Sequence, residues 1–236
     1  MALPKIKSPT FEIVIPSINK GVDFRPFLVK EEKILLMASQ SGNDRDIVKA
    51  IKQIINNCCT DDSLNVNDLT VVDLELIFLK LRSRSVNNVV DVAYKDSEDG
   101  QEYKFQIDLE EVKVVKPKEV SNKIQINDEL GIIMSYPNAS IIDEMGDFEN
   151  EVDILNFFIS KCMSQIYDED NVYEVSEQTE EEVKEFIDSL DVKTFDKIRE
   201  FFDASPKLEY VIEYKNSLGN DRRIVLDTLR DFFILG

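Results

Sequence analysis

The side chains that could carry chemistry in this sequence are carboxylates, three thiols and a small basic cluster, for there is no histidine among its 236 residues. That absence removes Ser-His-Asp and Cys-His nucleophilic catalysis, histidine ligation of metals and the usual side chain for a pH switch. The thiols are Cys58, Cys59 and Cys162. Adjacent cysteines rarely bridge each other and an odd count argues against a disulfide framework, so they read as reduced thiols in or near the core. With no histidine to activate them, none is assigned as a nucleophile. Neither the G-x-x-x-x-G-K-[ST] nor the G-x-G-x-x-G pattern occurs, so the usual backbone cradles for nucleotide phosphates are missing. Asp168-Glu169-Asp170-Asn171 opens like a calcium loop, but Tyr173 stands where an EF-hand needs glycine and Thr179 where it needs a bidentate glutamate. It reads as a solvated acidic turn. Asn138-Ala139-Ser140 matches a glycosylation sequon and, with no secretory signal, reads as a polar turn. No catalytic, cofactor-binding or metal-ligating residue is assigned, and no cofactor is expected.

The candidates that remain are for contact with partners. Lys80, Arg82 and Arg84 cluster at the end of a helical pattern, where cations meet the helix dipole and the last unpaired carbonyls; capping accounts for them, and docking to an acidic surface is the alternative. Glu180, Glu181 and Glu182 open another helix and offer an acidic face to a basic partner. Phe232 and Phe233 lie in an apolar C-terminal string, Leu229 to Gly236, which either packs back on the fold or is buried in a partner.

Composition sets the background for these contacts. The chain is 43% hydrophobic with a net charge of −19. Residues 1–118 carry 17 Lys+Arg against 19 Asp+Glu, whereas residues 119–236 carry 11 against 28. Acidity of that kind disfavours nucleic acid and anionic membrane surfaces and favours basic proteins or basic helices. The longest apolar runs are too short to span a bilayer and the N-terminus has no signal-like h-region, so folding in the cytoplasm is expected.

Hydropathy patterning predicts the elements that must position these residues. Phe11 to Ile15 and Val22 to Phe27 read as strands around a turn at Ser17 to Gly21. Helices follow over Lys30 to Ser39, from the N-cap Asn43 with the stripe Ile47, Ile51, Ile54, Ile55 and Cys58, and over Thr70 to Arg84 with Leu74, Ile77, Phe78 and Leu81 on one face. Val89 to Lys95 and Glu102 to Leu109 then form a hairpin around Asp99-Gly100. The second half repeats the order: a hairpin of Lys123 to Ile126 and Ile132 to Tyr136, and a helix over Ile154 to Tyr167 with Leu155, Phe158, Ile159, Cys162 and Ile166 aligned. Two further helices carry Val183, Phe186, Ile187 and Leu190, and then Phe195, Ile198 and Phe202, before a last hairpin of Leu208 to Lys215 and Arg222 to Asp227.

The two late hairpins can be laid on each other, matching Tyr94-Lys95 to Tyr214-Lys215, Gly100 to Gly219 and Asp108 to Asp227, and the early hairpins match at Gly21 and Gly131. The expected fold is therefore α+β: two similar lobes from an internal duplication, each with a hairpin, two or three helices and a second hairpin. They cover residues 1–118 and an acidic 119–236, with the boundary near Lys116-Pro117-Lys118. Hairpins of any α+β protein share a tyrosine and a turn glycine, which is the alternative account of the likeness.

The stretches FRPFLVKEEKILLMA (Phe24 to Ala38) and LTVVDLELIFLKLRSRSVNNVVDV (Leu69 to Val92) resemble the T-even-type bacteriophage baseplate hub assembly proteins. LPKIKSPTFEIVIPS (Leu3 to Ser17) and RDFF (Arg230 to Phe233) fit the same family. The resemblance implies a non-enzymatic tail protein, a chaperone-like assembly factor or minor structural subunit, with baseplate hub subunits or the tape measure protein as partners. It implies the host cytoplasm during assembly for an assembly factor, and the virion tail baseplate as well if the protein is a structural subunit. Cysteine pairs found near the hairpin turns in some relatives have no counterpart at Asp96 to Gly100 or Asn216 to Gly219, so no metal site is carried over. An acidic nucleic-acid mimic that inhibits a host DNA-binding protein is the alternative function; a hydrolase using paired carboxylates comes after it.

Overall fold

The computed structural model describes residues 8–232 except 42, 117, 147 and 149. The chain runs β1 (Phe11–Ile15), β2 (Lys20–Phe24), α1 (Val29–Gln40), α2 (Asp44–Cys58), α3 (Val71–Ser85), β3 (Val89–Lys95), β4 (Glu102–Asp108) and β5 (Lys113–Val115). It continues through β6 (Lys123–Gln125), β7 (Gly131–Met134), α4 (Ile141–Glu144), α5 (Glu151–Cys162), β8 (Met163–Tyr167) and β9 (Val172–Glu174). The last elements are α6 (Glu180–Asp188), α7 (Val192–Asp203), β10 (Lys207–Lys215), β11 (Asp221–Leu226) and a short 3-10 turn, Leu229–Phe232. This is a mixed α+β fold with several small sheets.

Two compact units divide the chain: residues 1–115 with 207–236, and residues 116–206. The chain first crosses between the units after Val115. The hairpin after residue 206, however, lies in the first unit and not with residues 119–206, because β10 pairs antiparallel with β5 through Lys207↔Val115, Leu208↔Val114 and Glu209↔Lys113.

In the first unit, β1 and β2 pair from Phe11↔Phe24 to Ile15↔Lys20. Alternation sends Ile13, Ile15, Val22 and Phe24 inward. Helices α2 and α3 start where side-chain caps satisfy free N–H groups. The Arg45 N–H donates to Asn43 Oδ1 at 3.0 Å. Thr70 and Asp73 form a capping box, the Thr70 N–H donating to Asp73 Oδ2 at 3.0 Å. Asp73 is fully buried and also accepts the Ser17 N–H at 3.3 Å, so one carboxylate caps α3 and fixes the β1–β2 turn.

Helix α3 buries more than the single stripe expected. Leu74, Ile77, Phe78 and Leu81 are buried as predicted, and so are Leu76 and Leu79, which join Val92, Ile107, Leu109, Leu208, Ile212, Leu226 and Phe232 in one apolar cluster. A helix apolar on two sides is a helix with packing on two sides.

In the second unit the sheet order is β6-β7-β8-β9. The helix expected over Ile154 to Tyr167 ends at Cys162, and residues 163–167 form β8 between β7 and β9. Met163 already has extended backbone, with ψ of 109°. Ile159, Cys162 and Ile166 line up on a helical count, but Ile166 pairs with Ile132 and Tyr173 across the sheet instead. The core of this unit joins Ile124, Ile132, Met134 and Met163 to Ile159, Val183, Ile187, Ile198 and Phe201. Phe201, not Phe202, is the fully buried phenylalanine of α7, stacked on Tyr136 at 4.8 Å.

Candidate functional site

The thiols are built into packing. Cys58 and Cys162 are fully buried, and burial pushes them up to about 11 and about 12; half-buried Cys59 is raised as well, again chiefly by burial. A thiol held that far from ionisation is a poor nucleophile. A cation does stand beside Cys58: Arg25 Nη1 is 3.6 Å from its sulfur, but that guanidinium is committed to Glu31, to which it donates at 3.0 and 3.2 Å, and to Asn57 O at 2.7 Å. Glu31 is fully buried in the first turn of α1, where it also accepts the Leu28 N–H at 2.9 Å. Desolvation raises the Glu31 pKa, but the hydrogen bonds from Arg25 and Leu28 outweigh it and leave the group lowered.

The acidic loop after β8 is a self-contained turn. Asp168 accepts the N–H groups of Asp170 and Asn171 at 2.9 and 2.7 Å and the Tyr173 hydroxyl at 2.9 Å, which hold its carboxyl below the usual range. Among the described residues no three acidic or sulfur side chains converge as metal ligands would.

The basic cluster at the end of α3 is engaged within its own unit. Lys80 donates to Glu110 O at 2.6 Å and Leu109 O at 3.3 Å, and Arg84 Nε lies 3.0 Å from Glu110 Oε1. Lys80 is mostly covered and its pKa is lowered by that burial. Arg82 is half-buried, and its carbonyl accepts the Val86 N–H that closes the helix. The partner of Lys80 and Arg84 is thus the loop after β4, an association the sequence did not signal because Glu110 lies 30 residues from Lys80.

Glu180, Glu181 and Glu182 are exposed in the first turn of α6. Glu182 closes a capping box, accepting the Thr179 N–H at 2.9 Å and its hydroxyl at 2.8 Å. Glu180 lines a groove of about 1030 Å³ in the second unit, formed by α5, α6, β8 and the segment after β9. Its floor is apolar, from Phe157, Met163, Val183 and Ile187. The groove was not foreseen, since it depends on residues 163–167 leaving the helix. Phe232 is buried in the core of the first unit, and Phe233 lies outside the described residues.

A polar network between the late hairpins also escaped the sequence reading. Asp96, fully buried, accepts the Tyr214 hydroxyl and, at 3.1 Å, Arg222 Nε. Asn216 Nδ2 donates to Glu98 Oε2 at 2.6 Å, and the Ser217 N–H to Asp99 Oδ2 at 2.9 Å. Above it Tyr103 and Tyr214 rings lie 4.9 Å apart.

Charge follows the units more closely than the halves. Residues 116–206 hold 8 Lys+Arg against 23 Asp+Glu, net −15, while the first unit holds 20 against 24. The C-terminal hairpin is neutral, so the acidity assigned to residues 119–236 sits in the second unit alone. Among the described residues no helix is long and apolar enough to cross a membrane.

The chain thus combines a small-sheet α+β fold with excess negative charge gathered in one compact unit. The T4 bacteriophage base plate protein family matches residues 8–234, nearly the whole chain, and the chain belongs to that family. No curated protein and no solved structure matches it. Membership makes it a phage baseplate protein, places it with the virion tail baseplate, and makes other phage structural proteins its partners.

Proposed function

We propose that the protein serves assembly of the baseplate hub through protein contacts alone, as a chaperone-like factor or minor structural subunit, without catalysing a reaction. The observation that carries this reading is the concentration of net charge −15 in the compact unit 116–206 of a baseplate-family chain. Such a surface keeps a free subunit soluble, repels nucleic acid and steers basic protein partners into encounter. Those partners are hub subunits or the tape measure protein, met in the host cytoplasm during assembly. The inhibitor alternative finds no support in the family, and a nucleic-acid mimic would not need the nearly neutral first unit.

An internal duplication over residues 1–118 and 119–236 belongs to the same proposal. Its support is the shared geometry of the late hairpin turns; ancestral repeats need not coincide with the compact units.

The test is quantitative mass spectrometry of purified virions beside infected-cell lysate, together with a phage lacking the gene. Fixed stoichiometry in the particle identifies a structural subunit, and abundance in lysate alone identifies an assembly factor, provided the deletion phage stops at hub assembly. Normal tails from the deletion phage would overturn the proposal.

A further inference from the structure

We infer that the groove of the second unit is the seat of a basic amphipathic helix supplied by a partner protein, an inference that rests on the assembly reading above. Phe157, Met163, Val183 and Ile187 give it an apolar floor within about 1030 Å³. An amphipathic helix presents its apolar side chains at i, i+3, i+4 and i+7, which is what such a floor accepts. The polar lining is not arranged for a small ligand: the hydroxyls of Ser135, Ser160 and Ser164 already donate to main-chain carbonyls of Cys162, Phe157 and Ile133 at 3.1, 2.8 and 2.9 Å.

The sign of the partner's charge follows from the rim. Lys161 is neutralised by Glu144 at 2.7 Å, and Glu180, one turn before Lys184 on α6, offsets that cation. Glu174 then leaves the rim negative, with exposed Glu177 and Glu181 beside it, on a unit of net charge −15. A helix with an apolar stripe and lysine or arginine flanks complements both floor and rim, whereas an acidic one pays like-charge repulsion.

The probe is a fluorescent lysine/leucine peptide about 18 residues long, five helical turns with leucine on one face, titrated against the full chain in moderate salt. Wild type is expected to bind it, and the rim reversal Glu174→Lys with Glu180→Lys to weaken binding about tenfold or more, while Asp128→Lys with Glu129→Lys, the same charge change in the β6–β7 turn, stays within about twofold. Filling the groove by Ser160→Trp, or by Lys184→Trp at an exposed position, is expected to weaken binding as strongly; the second removes a cation, so electrostatics alone would strengthen it. Circular dichroism checks that each variant is folded. No binding by wild type, equal loss from the two charge reversals, or unchanged binding in folded groove-filled variants would each overturn the inference. The virion and deletion tests read the whole protein, so the assembly role stands or falls separately.

Discussion

Asp96 and Asn216 hold the same place in two hairpin turns: a side-chain oxygen of each accepts the main-chain N–H two residues on, from Glu98 at 2.7 Å and Leu218 at 3.1 Å. Each is followed by a glycine with positive φ, Gly100 at 71° and Gly219 at 83°, a conformation that costs glycine little. Beyond its own turn each residue reaches the other hairpin, Asp96 accepting from Tyr214 and Arg222, Asn216 donating to Glu98.

Asn216→Asp therefore separates the two roles. Aspartate keeps the turn, as Asp96 does, but sets a carboxylate against Glu98 where an amide N–H donated. The denaturation midpoint at neutral pH is expected to fall by the equivalent of roughly 1–2 kcal/mol with an unchanged slope, and to recover as carboxylates protonate below about pH 4. An unchanged midpoint at neutral pH would show that the Asn216–Glu98 bond contributes nothing.

Glu75 is a second site where the fold and a charge disagree. It lies half-covered on α3 with no hydrogen-bond or ion-pair partner among the described residues, and burial pushes its carboxyl up to about 7. An acid whose folded pKa is raised stabilises the fold below its unfolded value and loses that contribution as pH rises through the folded one. The window here runs from about pH 4.5 to 7. Glu75→Gln should raise stability by about 2–3 kcal/mol at pH 8 and by little at pH 4.5, as read from urea midpoints at the two pH values.

Arg25 and Glu31 form the buried pair of the first unit, and removing one partner should cost more than the pair contributes. Arg25→Ala leaves a fully buried carboxylate without its two guanidinium donors, so a loss of about 3 kcal/mol or more is expected at pH 7. Glu31 is lowered in the fold, so its contribution is present above its unfolded value and lost as pH falls through the folded one. The variant's deficit in thermal melts should accordingly shrink in acid.

Native protein should resist thiol reagents at pH 8. With Cys58 and Cys162 buried and raised to about 11 and about 12, and Cys59 raised too, labelling should be slow until denaturant is added, when all three thiols react. Fast labelling of one folded-state thiol, followed by mass spectrometry, would show an opening that the packing does not provide for.

Much of the local structure was legible from residues near one another in the chain. Asn43, Thr70 and Thr179 each satisfy N–H groups two or three residues on, so their helices start where the sequence says. The alternation of Ile13, Ile15, Val22 and Phe24 marks one face of a hairpin by itself. So does the spacing of Ile51, Ile54, Ile55 and Cys58 for α2. The absence of histidine and of nucleotide-binding glycine patterns, and the excess of acid after residue 118, needed no structure, and the resemblance of Phe24 to Ala38 and Leu69 to Val92 pointed to the baseplate family.

What the tertiary structure alone decided depends on partners far away in sequence. Residues 163–167 are apolar enough for helix or strand, and pairing with β7 and β9 makes them a strand. Leu76 and Leu79 look like surplus apolar residues on α3 until the late hairpins, one of them more than a hundred residues on, cover that side. Pairing of β10 with β5 gives the C-terminal hairpin to the first unit and confines the acidity to residues 116–206. Glu110 holds Lys80 and Arg84, and Phe232 enters the core, by the same kind of distant association. Caps and periodicity are set by neighbours within a turn or two, so a sequence displays them; burial, desolvation and strand partnership are set by whatever the whole chain brings alongside, and they exist only once it has folded.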